Sequence, residues 1–267
     1  MKVFISADME GTAGITSWSE TEKDHPDYAE FRAYMTEEVV AACEGARAAG
    51  AEEVLVKDAH ETGRNLVIGR LPEYVRVVRD WSGHPDSMMF GLDRGFSAAV
   101  YTGYHDRAGA ETNPLAHTLN TRIMRITING APASEFTLNA RTAARYGVPS
   151  VFLSGDAGMC AAARALVPGI ETVATSEGIG SATVSLTPSR AVAAIREGVE
   201  RGVAARRAAL MPPMPERYEL VIEYDNPASA FRSHWFPGGE ICGERSVRWT
   251  VSDAFEVQRV LRFVSGG

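Results

Sequence analysis

The chain is poor in the residues that several common kinds of site require. Its three cysteines, Cys43, Cys160 and Cys242, stand far apart with no C-x-x-C pair, which argues against a disulfide framework and a thiolate zinc site. Cys43 and Cys160 fall in alanine-rich helical patterns and are expected as small core residues. Lysine is scarce: of 27 basic residues 3 are Lys and 24 are Arg, a bias that genome composition explains as readily as physics. Positive charge is in deficit, and a net charge of -7 argues against nucleic acid or an anionic membrane as partner. No apolar run approaches the ~18 residues of a membrane span. No internal repeat or low-complexity segment appears, and no signal-peptide pattern precedes the first strand. The expected location is the cytoplasm.

What is present is ordinary for a globular protein, with 45% hydrophobic and 23% charged residues. One stretch stands out. Val3-Phe4-Ile5-Ser6-Ala7 reads as a buried strand and runs straight into Asp8-Met9-Glu10-Gly11. Side chains two apart on a strand point the same way, so Asp8 and Glu10 converge just past its carboxyl end, where open α/β sheets place ligands. Two converging carboxylates repel unless a cation or shared proton relieves them. A metal is the expected relief.

The rest of the chain supplies partners. Pro26 suits a helix start, Phe31, Met35, Val39 and Cys43 recur every four residues, and Gly50 is placed as the stop. Residues 53–57 form a second strand ending at Asp58-Ala59-His60, and strand–helix–strand reads as a right-handed parallel unit. A short helix over 65–71, a short strand over 75–78 and a helical turn over 88–92 come next. A third main strand over 98–103 delivers Tyr104-His105, and a loop leads to His117. Residues 122–128 alternate into Asn129-Gly130, a strong hairpin signal, and Glu135 precedes a helix over 136–146. Strands are expected over 150–153 and 170–174, with helices to about residue 166 and from the Thr187-Pro188 cap to about residue 210. Met211-Pro212-Pro213-Met214-Pro215 is the one proline-rich linker; strands over 218–224 and 247–251 and a helix over 252–264 follow. The expected class is α/β: a mainly parallel sheet flanked by helices over 1–210, with a smaller C-terminal α+β lobe over 216–267, packed within the same unit or beside it.

Three strands thus end in metal-ligand residues: Asp8 and Glu10, then His60, then His105, with Glu135 as a possible fifth at a helix start. A lone strand-end histidine is more often structural, and D-x-E is often solvated or caps a helix. The conjunction shifts the balance, because parallel handedness sends these tips to one edge. Imidazole and carboxylate without thiolate suit Zn²⁺, Mn²⁺ or Co²⁺. Five ligands with Asp8 as bridge would hold two metals about 3.5–4 Å apart.

These residues resemble the M55 metallopeptidases. Ser6-Ala7-Asp8-Met9-Glu10-Gly11 is similar to that family's S-x-D-x-E-G signature, and residues 35–38, 53–60, 103–105, His117, Glu135 and 138–140 match in the same order. The resemblance covers most of the chain. It implies an aminopeptidase for short peptides, of the D-aminopeptidase type, with two zinc ions. Asp8 would bridge them, with Glu10 and His60 on one metal and His105 and Glu135 on the other. It gives His117 a catalytic role, read here as acid/base or oxyanion stabiliser beside a metal-activated water. It further implies a homodecameric ring that admits short peptides only. Stereochemical preference and the residue that captures the substrate amine are left open.

Two other readings compete. A haloacid-dehalogenase-like, Mg²⁺-dependent phosphatase would use Asp8 as covalent nucleophile and Gly155-Asp156 for metal, but leaves His60 and His105 unexplained. A non-catalytic metal- or peptide-binding protein is the third class. Among lesser candidates, Asn139 would orient substrate or pack inside its helix, while His25 is expected at a helix entrance and His84 and His234 at the surface or in packing. Residues 178–181 lack the context of a phosphate loop.

Overall fold

The opening apolar run forms β1 (Lys2–Ala7), whose side chains are buried on both faces from Val3 onward, as the middle of a parallel sheet requires. The protein is represented by a computed structural model that describes residues 1–207 and 210–265. Helix α1 (Tyr28–Ala48) returns the chain to β2 (Glu53–Asp58), and β3 (Val75–Val78) and β4 (Ala98–Tyr104) follow. The hairpin β5 (Ile123–Ile128) and β6 (Ala131–Pro132) precedes α2 (Glu135–Arg145), β7 (Ser150–Asp156) and α3 (Ala157–Leu166). Next come β8 (Glu171–Ile179), β9 (Ala182–Ser185) and α4 (Pro188–Ala204). The last part holds β10 (Tyr218–Tyr224), α5 (Pro227–Ser233), β11 (Glu240–Ile241), β12 (Ser246–Val251) and α6 (Ala254–Val264).

The main sheet has seven strands in the order β3-β2-β1-β4-β7-β8-β9. All neighbours pair in parallel except β9, which turns back on β8. Helix α1 packs on α4, and α2 on α3. The α1–α4 approach is close at Gly45, where a Cβ would stand 2.3 Å from the Arg196 carbonyl oxygen. Phe4, Ile5, Val100, Phe152 and Leu153 lie at the centre with no exposed surface. Each such burial contributes about 1.5–3 kcal/mol.

The second sheet is antiparallel, ordered β11-β12-β10-β5-β6. Its strands do not come from residues 216–267 alone. Ile123, Ile126 and Ile128 of β5 turn inward beside Leu220 and Ile222 of β10 and Trp249 of β12, under Val257, Val260 and Leu261 of α6. The C-terminal segment therefore completes its sheet with a hairpin from the middle of the chain. The two layers meet where α2 packs on α6, with Gln258 Nε2 donating to Thr142 Oγ1 at 3.0 Å.

Some local expectations shift. Residues 65–71 form only a single 3-10 turn at Ile68–Arg70. The amides of Asn65 and Leu66 are taken by the Asp58 carboxylate at 2.6 and 2.8 Å, which holds this backbone in a loop. The turn expected over 88–92 is a 3-10 turn at Ser87–Met89. The helix expected to reach residue 210 ends at Ala204, and 208–209 of that span lie outside the described residues. No helix of the described residues is long and apolar enough to cross a membrane.

Candidate metal centre

Strand register explains why distant residues meet. Ala7 pairs with Asp58 on one side and Thr102 on the other, so the segments that follow leave the sheet at the same edge. The ladder continues past the strands: Asp8 N–H donates to the Thr102 carbonyl at 2.9 Å, Ala59 N–H to Ala7 at 2.7 Å, and Gly11 N–H to Gly103 at 2.8 Å. Two glycines permit this crossing. A Cβ on Gly11 would lie 1.9 Å from the Tyr104 carbonyl oxygen, and one on Gly103, where φ is +68°, 2.2 Å from that of Asp8.

Asp8, Glu10, His60, His105 and Glu135 are all buried at this edge, with His117 beside them. His60 Nδ1 stands 3.4 Å from Asp8 Oδ1 and 3.1 Å from Glu10 Oε2. His105 Nε2 stands 3.4 Å from Asp8 Oδ2 and 3.5 Å from Glu135 Oε2. Asp8 thus belongs to two ligand groups, one oxygen turned to each. Ligand atoms bonded at about 2.0–2.1 Å in a tetrahedron sit about 3.3 Å apart, which matches these separations.

Each imidazole is oriented by its far nitrogen. His60 Nε2–H donates to Thr21 O at 3.0 Å, His105 Nδ1–H to Asp106 O at 2.9 Å, and His117 Nδ1–H to Leu115 O at 2.8 Å. In that tautomer the near nitrogens carry lone pairs that face carboxylates, an arrangement only a proton or cation relieves. Asp8 Oδ2, Glu10 Oε2 and His105 Nε2 are buried without a hydrogen-bond partner. The donor set therefore fits metal ions.

The electrostatics agree. Burial and the charge of Glu10 push Asp8 above the usual carboxylate range. Burial raises Glu10 and Glu135 too, but the nearby imidazoles outweigh it, His60 holding Glu10 well down and His105 pulling Glu135 to about 2. Burial disfavours charge on His60 and His105, yet Glu10 and Glu135 respectively drive both well above the ordinary histidine value. The carboxylates demand positive charge, and metal ions supply it in place of those protons.

His117 lies to one side. Its Nε2 is 3.9 Å from both Glu10 Oε1 and Glu135 Oε1. Its ring stacks on His105 at 4.1 Å between centroids, with Trp18 edge-on at 5.3 Å. The loop carrying both histidines is pinned by Asp156, which accepts from Asp106 N–H, Asn113 Nδ2 and Met159 N–H. Asp156 is thus occupied structurally and joins no ligand group with Asp8. Lys57 donates to the carbonyls of Asp58 and Asp80 under the Trp81 ring.

Above the centre opens a cavity of about 720 Å³, lined by Asp8, Glu10, His60, His117 and Glu135 below and by Trp18, Trp81 and Arg262 higher up. His25, just ahead of α1, and His84, exposed as expected, both stand on its wall. Asn139 does not reach it: the side chain is buried and donates to Tyr104 Oη at 2.9 Å. Sequence reasoning missed Trp18 and Asn65, which clamps Asp58 and the His60 carbonyl. Neither lies in a recognisable pattern.

A parallel α/β sheet presenting this donor set beneath an open cavity is the arrangement of a metal-dependent hydrolase. The chain belongs to the M55 peptidase family, whose D-aminopeptidase model matches residues 1–263. It is 32% identical over 266 residues to the D-aminopeptidase of Bacillus subtilis strain 168, covering 98% of this chain and 95% of that one. Its fold superposes with a TM-score of 0.93 and 30% identity on a Zn-dependent D-aminopeptidase from Bacillus subtilis, DppA, described as a self-compartmentalizing protease, across 99% and 97% of the two chains.

Proposed function

We propose that this protein removes the N-terminal residue of short peptides at a two-zinc centre, with D-residues, D-Ala foremost, preferred at that position. The observation that carries the two-metal reading is Asp8, whose two buried oxygens face different histidines. The D preference rests on the family description and on the named relative.

In this reading Asp8, Glu10 and His60 would hold one metal ion, and Asp8, His105 and Glu135 the other. Metal ions held there would polarise the scissile carbonyl and supply an activated water. His117 takes up a proton at Nε2 and returns it to the leaving amine, its ring held in place by the Leu115 carbonyl, His105 and Trp18. Five of the six side chains line the floor of a cavity sized for a small ligand, and His105 is buried beside them. The self-compartmentalizing relative supports a homo-oligomer, with the decameric ring as the proposed form and the cytoplasm as its setting.

The test is a metal-reconstituted assay on paired D-Ala and L-Ala dipeptides, with elemental analysis of the same sample. About two zinc ions per chain and faster cleavage of the D substrate are expected. Dependence on Mg²⁺ alone would sink the zinc reading, and an L preference the stereochemical one.

A further inference from the structure

The charged lining of the cavity is uneven. Six carboxylates contribute: Asp8, Glu10 and Glu135 at the buried floor and Glu22, Asp24 and Glu61 on the exposed wall. Only two permanent cations, Lys23 and Arg262, share that lining. Lys23 is exposed and, among the described residues, has no hydrogen bond to orient it. Arg262 differs. It is exposed as well, but its Nε donates to the Gly83 carbonyl at 3.2 Å, which orients the guanidinium. Among the described residues no carboxylate pairs with it, whereas Arg145, Arg245, Arg248 and Arg259 are each paired with one.

The helix that carries Arg262 is itself fastened to the site. Asn120, three residues beyond His117, donates through Nδ2 to the Ser265 carbonyl at 2.7 Å. Gln258, on the same helix, is tied to α2, the helix that Glu135 opens. Arg262 is therefore a preoriented, unpaired cation held at a set position relative to the floor.

We infer that Arg262 binds the C-terminal carboxylate of the substrate, so that the substrate class is short peptides with a free C-terminus. The inference rests on the aminopeptidase reading. With the scissile carbonyl at the floor, the departing part of the peptide extends towards the mouth. There the one charge common to every unblocked short peptide is its carboxylate. A guanidinium fork matches that group in two parallel hydrogen bonds, which a lysine cannot do.

The test compares a free dipeptide, D-Ala-D-Ala, with its C-terminal amide. Binding to metal-free protein is followed by the fluorescence of Trp18 and Trp81, which line the cavity, and KM is measured on the zinc-loaded enzyme. The parent is expected to favour the free dipeptide on the order of tenfold, the size of one charge-assisted interaction. Arg262→Ala brings that ratio near one, and Arg262→Lys restores it in part. A parent that binds both ligands equally, or an Arg262→Ala variant that keeps the ratio, overturns the inference. A parent that discriminates in binding but cleaves neither compound defeats the aminopeptidase reading and leaves the carboxylate site standing.

Discussion

At the scale of single residues, the proposed site separates groups that would hold charge from the one that would move it. Asp8 is the point on which both ligand groups depend, since each uses one of its oxygens. Asp8→Ala is expected to abolish metal binding, read as zinc content near zero after reconstitution. The two candidate ligand groups that share Asp8 do not include His117, whose Nε2 stands 3.9 Å from the nearest carboxylate oxygens and which falls in a separate group with Glu10 and His105. His117→Ala should therefore keep its zinc and lose about 10²–10⁴-fold in kcat, the usual worth of a positioned acid or base. Turnover at the parent rate would remove His117 from the chemistry. These residues were legible in the sequence because strand ends are legible: D-x-E, D-x-H and Tyr104-His105 each follow an apolar run whose direction the handedness of parallel units dictates. Asn65 and Trp18 were not. Their partners are brought near by loops, and no period or spacing encodes a loop's path.

At the scale of elements, the centre exists because three backbone segments leave the sheet almost in contact. Gly11→Ala would drive a Cβ into the Tyr104 carbonyl, and that carbonyl belongs to the strand presenting His105. The expected loss is at least about 1–3 kcal/mol, the usual cost of overpacking. It is read as a lower urea midpoint, accompanied by weaker zinc retention. Gly69→Ala meets nothing within 4 Å and serves as the control, with little change in either. The parallel order of the main strands followed from the alternation of strands and helices. The second sheet did not, for a physical reason. The inward isoleucines of β5 announce a half-buried strand and Asn129-Gly130 its hairpin, but neither says which distant strand covers that face. Pairing across some ninety residues of chain is decided by packing, which leaves only a weak local trace.

At the scale of the whole molecule, stability should carry the mark of one buried acid. Glu38 of α1 accepts the Ala13 amide at 2.8 Å beneath the loop that follows Glu10. Burial raises its carboxyl from 4.5 to about 8. In the unfolded chain Glu38 gives up its proton near pH 4.5, whereas in the folded protein it keeps it until about pH 8. Between those values the folded state binds more protons, so this group makes stability fall as pH rises. Glu38→Gln, neutral throughout, should flatten the fall between about pH 5 and 8 in urea midpoints. Parallel slopes for parent and variant would show that Glu38 is charged when folded.

The fastening of Ser265 by Asn120 has a consequence for how the protein is made. Every side chain of the proposed metal cluster has been translated once Glu135 is joined, and the three strands that lead into Asp8 and Glu10, His60 and His105 are neighbours in the first half of the chain. The wall that bears Leu261 and Arg262 belongs to α6, which is translated well after Glu135. Synthesis therefore yields the residues of the floor before the part of the wall that carries Arg262, so on the proposed reading the side chains that would hold metal are made earlier than the one that would hold the substrate's carboxylate.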